Sequence, residues 1–256
     1  MRVYDRAFPG EAAYDVAVSR ALLLGAADGT QPESLRLYRP DDVVAFSVSD
    51  SSRPGFAGAV AAARASGFDA ALRLAGGTAA VFHRDAIAFA WCLPAADARR
   101  DIRARFERVS GWVASALRRL GVDARVGEVE GEYCPGDFSV NAGGKRKLMG
   151  VGQRIVQGAA HVGGVLVVDR SARVREVLAP VYAALGLSFR PETAGSVSDE
   201  IGPVAWESVR DALLEELRRE RALEATELAP ALLARARELE ARFRADPGRT
   251  PVAATR

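Results

Sequence analysis

Apolar residues along this chain follow two rhythms, one of three to four residues and one of continuous short runs. Across residues 11–25, Ala12, Ala13, Val16, Ala17, Ala21, Leu22 and Leu23 recur at near-helical spacing, and Gly25 fits a stop. Residues 51–67 read as a second helix, with Ala57, Val60, Ala61 and Ala65 on one face. Residues 95–120 form a long arginine-rich helix whose stripe is Ile102, Phe106, Val109, Val113, Leu117 and Leu120. Helices follow over residues 170–187, 205–220 and 224–244, and Ser196 or Ser198 fits a cap for a short turn between the first two. The second rhythm predicts strands at 35–38 and 43–48, separated by Arg39-Pro40-Asp41-Asp42, and at 69–73. Strands 78–83 and 87–93 read as antiparallel neighbours across Arg84-Asp85. A further strand spans 122–126, residues 138–140 and 148–156 pair across Asn141-Ala142-Gly143-Gly144, and 160–169 is another strand. Strands in antiparallel sets with helices between the sets predict an α+β fold, with largely antiparallel or mixed sheets flanked by helices. Residues 246–256 show no period and read as a frayed tail. The expected organisation is a catalytic domain over 1–220, followed by a C-terminal helix and flexible tail over 221–256.

Composition narrows this little. Of 256 residues, 49% are apolar and 27% charged, which excludes a disordered chain and implies a packed core. A net charge of +2 is too small to argue for nucleic acid. Two cysteines, Cys92 and Cys134, fit neither a disulfide framework nor zinc spacing, so no metal is expected and a reduced, cytoplasmic setting is the simpler reading. The N-terminus lacks the apolar core of a signal peptide, and no run is long enough to span a membrane. Both lysines, Lys145 and Lys147, fall in one tripeptide of an otherwise arginine-rich chain.

That concentration draws attention to one stretch. Cys134 precedes Pro135 and Gly136, so one neighbour restricts the backbone and the next frees it. Lys147 lies at the start of a returning strand, from which it can reach back. An ammonium near a thiol favours the thiolate, and a thiolate suits acyl transfer through a thioester. Most cysteines are small buried hydrophobes, and Cys92, between Trp91 and Leu93, reads as one. Lys145 reads as a solvated turn lysine. Gly76-Gly77 is either a plain hairpin turn or a place where a ligand meets bare backbone. His83, close after that pair, and His161 are each a strand or surface histidine or a pocket residue. Asp137 is a turn aspartate or a partner for Lys147 or an acceptor amine. Gly150 and Gly152 would let backbone touch an acyl chain.

The block Tyr133-Cys134-Pro135-Gly136 with Lys147-x-x-Gly150-x-x-Gln153-Arg154 resembles the superfamily of lipoate–protein ligases, octanoyltransferases and biotin–protein ligases. It is most similar to the cysteine-dependent lipoyl/octanoyl amidotransferase branch. A second block, from Arg73 through Gly76-Gly77-Thr78 to His83, resembles the superfamily's Arg-x-x-Gly-Gly acyl-binding loop and the strand after it. His161 matches a position where the ligases carry a histidine before glycine. The resemblance covers roughly residues 10–215 and implies the biotin/lipoate protein ligase catalytic-domain fold. It implies catalytic roles for Cys134 and Lys147, and substrate-binding roles for Arg73, Gly76, Gly77, His83, Asp137, Gly150, Gly152, Gln153 and His161. The implied activity is transfer of an octanoyl or lipoyl group to a lysine of a lipoyl domain through a Cys134 acyl-thioester. Partners would be acyl carrier or lipoyl-domain proteins, including one like the glycine-cleavage H protein, and the enzyme would be a monomer needing no cofactor. The alternative is an ATP- and Mg-dependent lipoate–protein ligase working through an acyl-adenylate. Against it, only one arginine and two glycines stand where that branch carries Arg-Arg-x-x-Gly-Gly-Gly. A third reading is a carrier-binding homologue that has lost its chemistry.

Overall fold

The structure is a computed structural model that describes residues 1–246. All but the first residue of the tail expected over 246–256 therefore lie outside the described residues. The elements run β1 (Arg2–Tyr4), α1 (Ala12–Asp28), β2 (Ser34–Tyr38), β3 (Val43–Phe46), α2 (Val48–Ser51), α3 (Phe56–Ala65), β4 (Asp69–Leu72), β5 (Ala80–Phe82) and β6 (Ala86–Pro94). They continue with α4 (Ile102–Arg119), β7 (Ala124–Val126), β8 (Val140–Ala142), β9 (Arg146–Val156), β10 (Ala159–Val167) and α5 (Ser171–Ala184). The last are α6 (Val197–Ile201), α7 (Trp206–Arg218), β11 (Glu224–Ala225) and α8 (Pro230–Leu239).

Eight strands form one sheet in the order β11-β1-β2-β6-β10-β9-β8-β7, and three form a second in the order β4-β3-β5. Most pairs are antiparallel; β1 with β2, β1 with β11, and β3 with β4 are parallel. The fold is thus α+β with mixed sheets, as the strand pattern predicts. Helices α4 and α7 cover one face of the large sheet, where Val109, Val113, Leu117 and Leu213 meet Leu148, Met149, Val162 and Leu166. On the other side α1 and α8 pack together through Tyr14, Val18, Leu22, Leu232 and Ala236. Helices α3 and α5 close over the small sheet around Phe46, Val60, Val174 and Leu178. Each such fully buried aliphatic side chain contributes about 1.5–3 kcal/mol. No helix among the described residues is long and apolar enough to cross a membrane.

Several elements differ from the sequence reading. Helix α1 passes Gly25 and ends at Gly29, which takes the left-handed conformation at φ +77°. Strands β5 and β6 are not partners: β5 pairs with β3, while β6 lies between β2 and β10 in the large sheet. The hairpin turn falls at Gly143 and Gly144 (φ +58° and +76°), so Asn141 and Ala142 belong to a strand instead of the turn. Helix α4 starts at Ile102, the first residue of the apolar stripe and seven residues after the expected start at residue 95. The charged segment 224–244 is not one helix. Its first two residues add to β1 as β11, and α8 begins at Pro230, where a missing N–H costs nothing. Strand β1 had no periodic signal.

Candidate active site

A cleft open at its mouth lies between the two sheets and α1. Its walls include Val43, Ala45, Ala71, Ala80 and Phe82 from the small sheet, and Phe89, Ala90, Gly163 and Val165 from the large one. Cys134 and Lys147 both line it, together with Arg73.

Backbone geometry brings these groups together. In a regular strand Lys147 and Met149, two residues apart, would share a face. Here the β8–β9 register slips: Asn141 faces Lys147 but Val140 faces Met149, leaving Leu148 as an extra residue. Such a bulge re-aims a side chain. Met149 therefore enters the core under α4, while Lys147 turns into the cleft.

Lys147 is 1% exposed. Its ammonium donates to Glu132 Oε1 at 3.0 Å, the Tyr133 carbonyl at 2.9 Å and the Cys134 carbonyl at 2.7 Å. An ammonium has three N–H groups, and all three are engaged. Glu132, 3% exposed, also accepts from Val129 N, Gly136 N and Ser139 Oγ, so it fixes the whole loop. The partner expected of Asp137 is thus Glu132; Asp137 itself is exposed.

Cys134 has φ +43°, left-handed for a residue with a Cβ. Its N–H donates to Tyr182 Oη at 2.8 Å. Its sulfur accepts from Arg73 Nη2 at 3.3 Å and from Thr78 N at 3.4 Å. Burial alone would push this thiol up. The Arg73 and Lys147 charges and the bonds from Arg73 and Thr78 outweigh it, so the Cys134 thiol lies below its ordinary value. Cys92 is the contrast: fully buried with Ser19 O as partner, its thiol is pushed far up by burial.

The glycine loop passes close by. Gly77 has φ +95°, and a Cβ there would stand 2.5 Å from Arg73 Nη2 and 2.7 Å from Cys134 Sγ, so only glycine fits. The Gly76 carbonyl accepts from Arg73 Nη2. Gly150 and Gly152 line the cleft, but the space over them is taken by the protein itself. A Cβ on Gly150 would meet Lys147 Cε at 3.2 Å, and one on Gly152 would meet Ala75 Cβ at 2.6 Å. His161, 6% exposed, also lines the cleft; its Nδ1 has no hydrogen-bond partner and burial pushes the ring down to about 4.

Two expected residues point elsewhere. His83 is fully buried, accepts from Asp85 N through Nδ1, and lies near Asp85, Arg173, Asp42 and Asp169. Strand alternation explains it: Ala80 and Phe82 face the cleft, so Val81 and His83 face the other way. Gln153 bonds to Arg105 Nε at 2.6 Å and to Ile102 O at 3.1 Å, bracing the start of α4 outside the cleft. Three residues at the site had no assigned role in the sequence: Glu132, Thr78 and Tyr182. Glu132 adjoins the first motif and Thr78 lies within the second. Tyr182 is 48 residues from Cys134 and carries no local signal. No cluster of three or more His, Cys, Asp or Glu among the described residues could hold a metal ion.

Among solved structures, a lipoate-protein ligase A bound with ATP superposes with a TM-score of 0.76 over 94% of each chain, at 21% identity. That likeness identifies the fold. An octanoyl-GcvH:protein N-octanoyltransferase of Geobacillus kaustophilus is 27% identical over 72% of this chain and 66% of its own length. A lipoyl-GcvH:protein N-lipoyltransferase of Listeria monocytogenes is 26% identical over 66% of this chain and 64% of its own. The chain thus spans about two thirds of the length of these two relatives. The model of the lipoyl protein ligase A/B catalytic domain matches residues 11–218, more than three quarters of the sequence, and the chain belongs to that family.

Proposed function

We propose that this protein is an acyltransferase that moves an octanoyl or lipoyl group onto a lysine of a lipoyl-domain carrier through a thioester on Cys134. The donor is a carrier similar to the glycine-cleavage H protein, as the names of the two relatives suggest. The observation that carries the reading is the setting of the sulfur. It lies at an apolar cleft, held by Arg73 and the Thr78 amide, with its thiol below the ordinary value.

The Cys134 thiolate attacks the donor's acyl carbon, the C–S bond forms, and the bond to the donor's amine or thiol breaks. The leaving group departs with a proton taken from water. The acceptor lysine amine then attacks the thioester; C–N forms, C–S breaks, sulfur leaves as thiolate and the amine releases one proton. The tetrahedral oxygen of each step needs preorganised donors. Lys147 has none to spare, so it acts by fixing the Cys134 loop and by its charge. The donors nearest the sulfur are the Thr78 N–H and Arg73. Arg73 Nε is buried without a partner, which suits this task. The acyl chain lies in the cleft, where each buried CH2 contributes about 0.8 kcal/mol.

The engagement of Lys147 also favours transfer over ATP-dependent ligation, because its ammonium keeps no N–H with which to meet an adenylate phosphate. Intact-mass spectrometry with an octanoylated H-protein-like donor tests the reading. We expect one octanoyl adduct on the native chain without ATP and none on Cys134→Ala. Full transfer by Cys134→Ala, or an adduct-free reaction that requires ATP, would overturn it.

A further inference from the structure

The left-handed backbone at Cys134 needs a cause. A non-glycine residue at φ +43° costs about 1–3 kcal/mol and persists only when its surroundings over-determine it. Pro135 adds to the cost, since the residue before proline prefers extended backbone. Cys134 is held from both ends. Lys147 takes its carbonyl, and Tyr182 Oη takes its N–H.

Tyr182 does more than satisfy one amide. It is 3% exposed on α5, and its hydroxyl has three partners. It accepts from Cys134 N at 2.8 Å, donates to the Ala79 carbonyl at 3.0 Å, and lies 2.9 Å from Thr78 Oγ1. With the hydroxyl proton given to Ala79, Thr78 is the donor in the third bond. A buried tyrosine needs one partner. This one joins the backbone of Cys134 to the two residues whose loop presents the Thr78 amide to the sulfur.

We propose that Tyr182 is a positioning residue for acyl transfer: its hydroxyl fixes Cys134 against Thr78 and Ala79, and so sets how Sγ meets the Thr78 amide and Arg73. A corollary concerns the oxyanion. The N–H of Cys134 itself is occupied, so the tetrahedral oxygen is served from the Thr78 side of the cleft.

The proposal rests on Cys134 being the acylated residue, and the test separates the two. Tyr182→Phe keeps the ring, which meets Phe189 edge-on at 5.0 Å, and removes only the hydroxyl. Cys134 alkylation by iodoacetamide, followed against pH, reports the thiolate whatever the substrate is. We expect its midpoint to rise by about one unit, roughly a tenfold loss of thiolate at fixed pH. Acyl-enzyme formation should slow roughly ten- to a hundredfold with KM changed by less than about twofold, as for a misplaced reacting group. A purely structural tyrosine would lower the melting temperature and leave the alkylation midpoint in place. That result, or acylation within about twofold of the native rate, overturns the proposal. If Tyr182→Phe does not fold, Thr78→Val removes one partner of the hydroxyl and keeps the Thr78 amide. It should raise the midpoint in the same direction, and an unchanged midpoint there overturns the proposal too. Absence of any acyl adduct on the native chain would refute the transferase reading alone.

Discussion

Glu132→Gln is the sharpest perturbation of the site's framework. Oε1 of Glu132 receives Lys147 Nζ at 3.0 Å, Ser139 Oγ at 2.6 Å and Gly136 N at 3.2 Å, while Oε2 receives Val129 N at 3.2 Å. Glutamine can keep the three bonds to Oε1. It must then aim its amide N–H2 at the Val129 N–H, two donors facing each other. It also leaves the Lys147 ammonium with carbonyl partners alone, in a place where Lys147 and Glu132 side chains are 2% and 0% exposed. Removing one member of a buried ion pair costs about 3–5 kcal/mol. For a chain of this size each kcal/mol lowers Tm by about 2–4 °C, so the fall should be roughly 6–20 °C. Calorimetry and urea unfolding of the native and Glu132→Gln proteins would measure it. The same variant should slow Cys134 alkylation at pH 7, because the loop that holds the sulfur is fixed through Lys147. A stability loss below about 1 kcal/mol, the value typical of an exposed pair, would refute the argument that this pair organises the loop.

Two further outcomes follow from the geometry. Gly77→Ala places a methyl 2.7 Å from Cys134 Sγ at a backbone φ of +95°, so it should cost about 1–2 kcal/mol in stability and slow alkylation of Cys134 by roughly tenfold; native alkylation kinetics in that variant would show that the loop does not touch the sulfur. His83 and His161 are both pushed down to about 4, chiefly by burial, so the folded chain refuses protons that the unfolded chain takes up near pH 6.5. Stability is therefore complete above about pH 6.5 and is lost as pH falls toward 4, by about 1.4 kcal/mol per unit for each histidine. Urea midpoints that are equal at pH 7 and pH 5 would contradict this.

The sequence made the helical stripes and most strands legible because one face of each is buried and the period shows it. Val109, Val113 and Leu117 are an example; of the two serines that fitted a cap, the structure uses Ser196, in a capping box with Asp199. It failed where pairing is decided at a distance. Residues 78–83 and 87–93 read as a hairpin because two apolar runs flank Arg84-Asp85, yet β3 and β10 compete for them and send them to different sheets. Strand β1 is three residues long and exists because β2 and β11 pair with it. At the site, Arg73, Cys134 and Lys147 carry functional groups whose chemistry can be read from residue type. His83 and Gln153 sit within the same motifs but on the wrong side of the strand alternation, and no motif encodes that. Tyr182 is invisible for a different reason: in sequence it is one more apolar position on an amphipathic helix, between Val181 and Ala183.

The site is built less from its charged side chains than from three departures of the backbone from regularity. The extra residue at Leu148 turns Lys147 into the cleft while Met149 stays in the core. The left-handed Cys134 turns the sulfur toward the Thr78 amide, and the left-handed Gly77 clears the space that the sulfur and Arg73 share. The departure at Cys134 is unfavourable by itself, at about 1–3 kcal/mol, whereas glycine takes its positive φ at Gly77 without that cost. Each departure is held by a polar partner: buried Glu132 for Lys147, buried Tyr182 for Cys134, and half-buried Arg73 through the Gly76 carbonyl for the glycine loop. Removing a partner should then let the backbone relax toward its ordinary conformation while the functional group survives. Loss of activity with an intact thiol and intact cations is the signature expected of Glu132 and Tyr182 variants. A site held by its side chains alone would tolerate both.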